Sequence, residues 1–166
     1  MNIFYLDHDV TLCAQYHVDR HCVKMILEYA QLLSTAHRTL DAELPPELDS
    51  LLYKATHANH PSAVWTRQSV ENYTWLADLL DALCLEYTHR YGRVHKVESS
   101  GLLTTLHSLV PRHIGTAGWS EPTPAMPEEC RVVADSIASY RRYYATAKQH
   151  LWAWKGRAEP TWLLGA

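Results

Sequence analysis

Hydrophobic residues recur every three or four positions over most of the chain, and the spacing fails where proline, glycine or short polar clusters appear. That pattern predicts helices joined by loops. The opening MNIFYL is apolar and ends at Asp7 or Asp9, either of which can cap a following helix by accepting from its free backbone N–H groups. Helical spacing then runs from about Val10 to Leu40, with Val18–Asp19 as the point where it would break. It restarts after Pro45, with Pro46 suited to a first turn. Pro61 opens the clearest element, in which Trp65, Leu76, Leu79, Leu80, Leu83 and Tyr87 hold helical spacing until Gly92 supplies a stop. A shorter helix is expected from about Ser100 to Val110 and a last one from about Cys130 to Trp154. The stretch from Pro111 to Pro127 is too rich in proline and glycine for either, and loops of that length often border a site. Only the first five residues resemble a strand. The expected fold class is therefore all-α, a single helical domain over residues 1–166 with its N-terminal helix central and buried.

Composition changes this picture little. Apolar residues make up 47% and charged residues 20% of 166 residues, which places the chain among globular proteins rather than disordered ones. The N-terminus lacks the basic start and apolar core of a signal peptide, and no run reaches the ~20 apolar residues of a membrane span. No membrane partner and a cytoplasmic location are expected. Cys13, Cys22, Cys84 and Cys130 form no CxxC pair, so free thiols in a reducing compartment are expected. Charge is more informative, because residues 131–157 hold six cations against Asp135 alone. That local +5 leaves −8 for the rest of a chain whose net charge is −3.

The stretch HVDRHCVKMILE carries the sharpest polar signal. At 100° per residue, His17, His21, Lys24, Glu28, Gln31 and Thr35 fall within about 80° of one helix face. Apolar side chains fill most of the remaining circumference. Such a stripe is either a solvated face with an ordinary Lys24–Glu28 pair or the floor of a cleft where a carboxylate and histidines serve proton transfer and cation stabilisation.

Two further patterns bear on function. His17 and His21 at i,i+4, with His57 and His60 in THANHP, offer nitrogen ligands for a metalloenzyme, although no HExxH is present. The cations of residues 131–157, Arg141 and Arg142 among them, are interleaved with Tyr140, Tyr143, Tyr144, Trp152 and Trp154. That mixture suits nucleic acid, since cations follow phosphates and aromatic rings stack on bases, and would equally serve a non-enzymatic nucleic-acid- or protein-binding module. Arg67, Glu71 and Asn72, on an early helical turn after His60-Pro61, form a candidate cleft wall, with an ordinary Arg67–Glu71 surface ion pair as the alternative.

In order, the apolar start, RHCVKMILE, NHPSAVW…LEYTHRYG and EPTWLL resemble features of the phage-type pyrimidine-dimer DNA glycosylases, the endonuclease V family. That resemblance spans nearly the whole chain as a string of short matches. It implies a small all-α enzyme that excises damaged pyrimidines and cuts the abasic strand, with DNA as partner and no cofactor. His21 and Glu28 match the family's histidine and catalytic glutamate in spacing. The family's nucleophile is an α-amine freed by removal of the initiator methionine, whereas Asn2 disfavours that removal, so Met1 or Asn2 would carry the amine here. Leu27 and Gln31 stand where the family has strand-contacting arginines.

The implied chemistry is coherent. Peptide α-amines titrate near ~7.7–8.0, so as a class they are partly nucleophilic at neutral pH without the activation lysine needs. Glu28 would stabilise the sugar cation as the base departs and later accept a proton for strand elimination. His21 would orient it or touch a phosphate, and His17, Lys24, Gln31, His60, Arg67, Asn72, Arg141 and Arg142 would contact substrate.

Overall fold

In the computed structural model, which describes residues 1–164, eight α-helices form the body of the protein. Among those residues there is no strand, only an isolated antiparallel bridge between Ser69 and Thr116. The all-α expectation holds. No helix among them is long and apolar enough to cross a membrane. Gly165 and Ala166, the end of the expected domain span, lie outside the described residues.

The first residues are not a strand. Ile3 to Leu6 run through the core, each no more than 4% exposed. With no neighbouring strand to pair with, their backbone groups are met partly within the segment, Tyr5 N and Leu6 N donating to Ile3 O and Phe4 O, and partly by side chains. The Tyr29 hydroxyl accepts from Phe4 N at 3.2 Å, and Leu6 O accepts from Arg141 Nε at 2.9 Å. Asp9 then caps α1 (Val10–Tyr16), accepting from Leu12 N. The expected break falls at His17–Val18, both extended, and α2 (Asp19–Leu40) follows. As predicted, Pro46 sits in the first turn of α3 (Pro46–Leu51).

The long element divides. α4 (Pro61–Thr66) and α5 (Val70–Tyr91) are separated where Ser69, with extended backbone, accepts from Asn72 N to cap α5. The Arg67 and Gln68 carbonyls, instead of continuing a helical ladder, accept from Gly115 N and Ala117 N. The 111–127 loop is thus stitched to the break, and Gly115 is required there because a Cβ would stand 2.1 Å from Gln68 O. Gly92 ends α5 in the left-handed conformation, as expected.

A short α6 (Lys96–Ser99), which periodicity does not reveal, precedes α7 (Leu102–Ser108). The last helix is half as long as its aromatic spacing predicts. Asp135 caps α8 (Ser136–Ala147), and beyond Lys148 the chain turns so that the Trp152 indole donates to Tyr144 O at 3.1 Å. Trp152 keeps its helical spacing from Tyr144 in sequence but meets it through a turn.

α2 and α5 lie against each other at the centre, with α1 along α5 and α4 and α7 closing over them. Beneath the α1–α2 break is a buried ionic network. Arg90 donates to Glu86 Oε1 at 2.7 Å, to Asp19 Oδ1 and His17 O at 2.9 Å, and to Gln15 O at 2.9 Å. Arg157 donates to both Glu86 oxygens. One arginine therefore fixes the angle between α1 and α2.

Candidate active site

The site begins with how the chain start is held. The Asn2 side chain accepts from the Tyr140 hydroxyl at 2.7 Å and from Ile3 N at 2.9 Å, and donates to Ala125 O at 2.9 Å. These bonds join the first residues to α8 and to the 111–127 loop. The Met1 amine consequently stands 3.9 Å from Glu28 Oε2, over the middle of α2. Glu28 Oε1 pairs with Lys24 Nζ at 3.1 Å. The Met1 side chain is 4% exposed and that of Glu28 13%, against 69% for Lys24. An amine, a carboxylate and a solvent-facing cation therefore meet at the edge of solvent.

His60 completes this group. Its Nδ1 accepts from Ser62 N at 3.1 Å and so caps α4. Burial lowers the ring pKa, with further lowering from the charged chain terminus and His57 and an opposing pull from Glu28. His60 is thus within electrostatic reach of both the amine and the carboxylate. Arg67 stands behind it, donating to Ala58 O at 2.6 Å and so holding the turn that carries His57 and His60.

The polar stripe is divided by burial. His17 is fully buried, with Nδ1 2.7 Å from Cys13 O and Nε2 2.7 Å from the Tyr29 hydroxyl. It touches no solvent, and this corrects its placement among the substrate contacts. Burial depresses its pKa to about 4. His21 stacks on Phe4 with ring centroids 4.1 Å apart, and its Nδ1 lies 2.6 Å from the Tyr144 hydroxyl. Burial, helped by neighbouring cations, lowers His21 to about 3, so it is neutral at physiological pH and its Nδ1 partner is Tyr144 rather than Glu28. At the other end, buried Thr35 accepts from Thr56 N and is covered by that segment. Lys24, Glu28 and half-buried Gln31 remain open, with an edge of His21 reaching a cleft, beside Val23 and Leu27, which are exposed rather than buried.

His17 and His21 cannot share a metal as a pair, since both His17 nitrogens are occupied inside the core. Among the described residues, no cluster of three or more His, Cys, Asp or Glu side chains is arranged for an ion. The histidine-rich composition has another explanation. His17–Tyr29, His21–Tyr144 and His37–Tyr73 are three buried pairs, each joining an imidazole nitrogen to a phenol at 2.6–2.9 Å.

Two other expected contacts are structural. Asn72 is fully buried, donating to Trp65 O and Ser120 Oγ at 3.1 Å and accepting from Ser120 N at 3.0 Å, which fastens the 111–127 loop. Arg141 donates to Leu6 O and to Asp7 Oδ2 at 3.0 Å and lies 5.2 Å from the Trp162 ring. Of the basic run, Arg131 pairs with Glu128 and Arg157 with Glu86, leaving Arg142, Lys148 and Lys155 as cations without an acidic partner among the described residues. Half of the cations in the basic run are therefore offset in space by acids outside it, and half remain unpaired.

An open cleft of 630 Å³ is lined by Arg20, His21 and Lys24 together with Lys148 and His150. The last two belong to the basic, aromatic run visible in the sequence, whereas Arg20, beside the stripe in HVDRH, was missed; tertiary folding brings the two stretches to one cleft. No protein-family model, no curated protein and no solved structure matches this chain.

Proposed function

We propose that the protein is a DNA N-glycosylase, or a glycosylase with strand-cleaving lyase activity, acting on a damaged or modified pyrimidine. The observation that carries this reading is the approach of the Met1 amine to within 3.9 Å of Glu28 at the edge of solvent. The sequence resemblance names the same two groups, and they come together across α2 from opposite ends of a 27-residue separation.

The amine lone pair attacks C1′ of the target nucleotide while the C1′–N bond electrons leave with the base, which takes a proton. Glu28, beneath the sugar, stabilises the positive charge that develops at C1′ and O4′. The secondary amine then loses its proton as the sugar ring opens and O4′ gains one, leaving an imine between protein and sugar. Transfer of a C2′ proton to a base and departure of the 3′ phosphate complete strand cleavage, and Glu28 is the carboxylate within reach for that transfer. Lys24 neutralises Glu28 in the resting site and is free to swing toward a phosphate, being largely exposed. The Asn2 side chain, held on three sides, aims the amine instead of reacting.

DNA is the partner in this reading, and the site of action is the cytoplasm. Borohydride reduction tests it, because only an imine-forming amine yields a stable protein–DNA adduct. Trapping is expected with at least one of a pyrimidine-dimer, an abasic or a modified-pyrimidine duplex, and the adduct should map to the N-terminal peptide. Complete absence of adduct on all three would overturn the proposal.

A further inference from the structure

An open cleft that shares Lys24 with the Glu28 site is strongly one-signed. On one side, the first turns of α2 contribute Arg20 and Lys24; on the other, the chain leaving α8 contributes Lys148 and His150. Its one acid, Asp19, is already engaged, accepting from Arg90 Nη1 and from Lys155 N at 2.9 Å each. Arg20 and Lys148 have no acidic partner among the described residues, and Lys148 rests over the Tyr143 ring at 4.8 Å. Lys155 lies over Tyr91, which also lines the cleft, at 5.4 Å. The floor is the His21 ring, kept neutral by burial.

For a chain of net charge −3, gathering unpaired cations on both walls of one open groove concentrates the attraction for anions there. Two features favour an extended ligand over a small one. The cations are spread along two separate segments instead of converging on one point, and the 630 Å³ space is open to solvent. The groove shares one residue with the amine and carboxylate site, since Lys24 both lines it and pairs with Glu28 at 3.1 Å.

We infer that this groove is the track for the phosphodiester backbone of one DNA strand, with Arg20 and Lys148 contacting phosphates on opposite walls and Tyr91 offering a face for a base. The choice of DNA over other polyanions rests on the reading of the amine and Glu28 site proposed above. The groove thereby supplies the cationic contacts that Leu27 and Gln31 do not, and that Arg141, tied to Asp7, cannot.

The test is fluorescence anisotropy of a labelled single strand carrying a non-reactive abasic analogue, measured across a salt series. For the Arg20→Ser/Lys148→Gln double variant, affinity near 0.1 M salt is expected to fall about tenfold or more. The slope of log K against log salt should drop by about 1.4, at roughly 0.7 for each phosphate no longer neutralised on a single strand. Arg142→Ala, at an exposed cation that lies outside the groove and is therefore not one of its phosphate contacts, should bind as the parent does. Circular dichroism melts of each variant, and the Arg20→Ser single variant with about half the slope change, separate weakened phosphate binding from unfolding. Unchanged affinity and slope in a folded double variant would overturn the groove assignment, as would an equal loss in Arg142→Ala. Displacement of the strand by polyglutamate at equal charge concentration would overturn nucleic acid as the occupant. Borohydride trapping reads the chemistry separately: binding without an adduct preserves the groove and removes the glycosylase, and an adduct insensitive to groove variants does the reverse.

Discussion

Glu28 and Glu86 are both glutamates on 22-residue central helices, and both face cations, yet they sit in opposite circumstances. Glu86 is 3% exposed in its side chain and receives hydrogen bonds from two arginines, one of them itself fully buried. Those bonds and charges lower its pKa against the raising effect of burial. Glu28 is 13% exposed, with one contact to a solvent-facing lysine and a longer one to the chain terminus. The first carboxylate is saturated and can only hold α1, α2, α5 and the 157 region together. The second keeps free hydrogen-bonding capacity beside a cleft, which is what a group must have to respond to developing charge.

The largest effect that would sharpen this contrast is on stability. Glu86→Ala leaves Arg90 buried among carbonyls with Asp19 as its remaining counter-charge, and stranding a buried charge costs about 3–5 kcal/mol. Urea unfolding should show that loss, while Glu28→Ala should cost under ~1 kcal/mol. Equal costs would erase the distinction between the two carboxylates.

Acid should probe the buried histidines next. His17 and His21 have folded pKa values of about 4 and about 3, below the ordinary imidazole value. Both are neutral and buried in the fold, so unfolding makes proton uptake easier. The stability they contribute is complete above about pH 6.5 and is lost as pH falls toward 4 and 3, a few kcal/mol in total. Depressed Glu86 and Asp41 act in the same direction at lower pH, since their protonation also favours the unfolded chain. Thermal melts between pH 7 and 4 should fall steeply, and a flat profile over that range would contradict the burial of the two rings.

The smallest contrast is between adjacent arginines. Arg141→Ala removes hydrogen bonds to Leu6 O and Asp7 and should destabilise by about 1–2 kcal/mol. Arg142, exposed, with a single 3.5 Å contact to Arg131 O, should change stability by under ~0.5 kcal/mol when truncated. Comparable losses would mean that the two side chains are not divided between interior and surface.

Local signals account for what is legible in the sequence. Asp9, Pro46, Pro61 and Gly92 act on their own helix ends, and each stands where its residue type predicts. The α4–α5 break is hidden because apolar spacing runs straight through it and its cause, the 111–127 loop with Gly115, is distant in the chain. The stripe on α2 is visible as a pattern, but periodicity places residues on a face without saying what covers that face. The chain start, Tyr144 and the 52–60 segment decide that, burying His21 and Thr35 and leaving Glu28 at the boundary. The same limit explains Asn72 and Arg141, whose partners Ser120 and Asp7 are distant in sequence.

The central claim is that Glu28 is held for chemistry and not for architecture, and Glu28→Gln tests it most directly. The substitution keeps volume and hydrogen-bonding groups while deleting the charge opposite the amine. Base release from the substrate that traps should fall by about 10²–10⁴-fold, with the thermal melt unchanged to within the equivalent of ~1 kcal/mol. A parent-like rate of base release, or a fall in rate matched by unfolding of the variant, would contradict the claim.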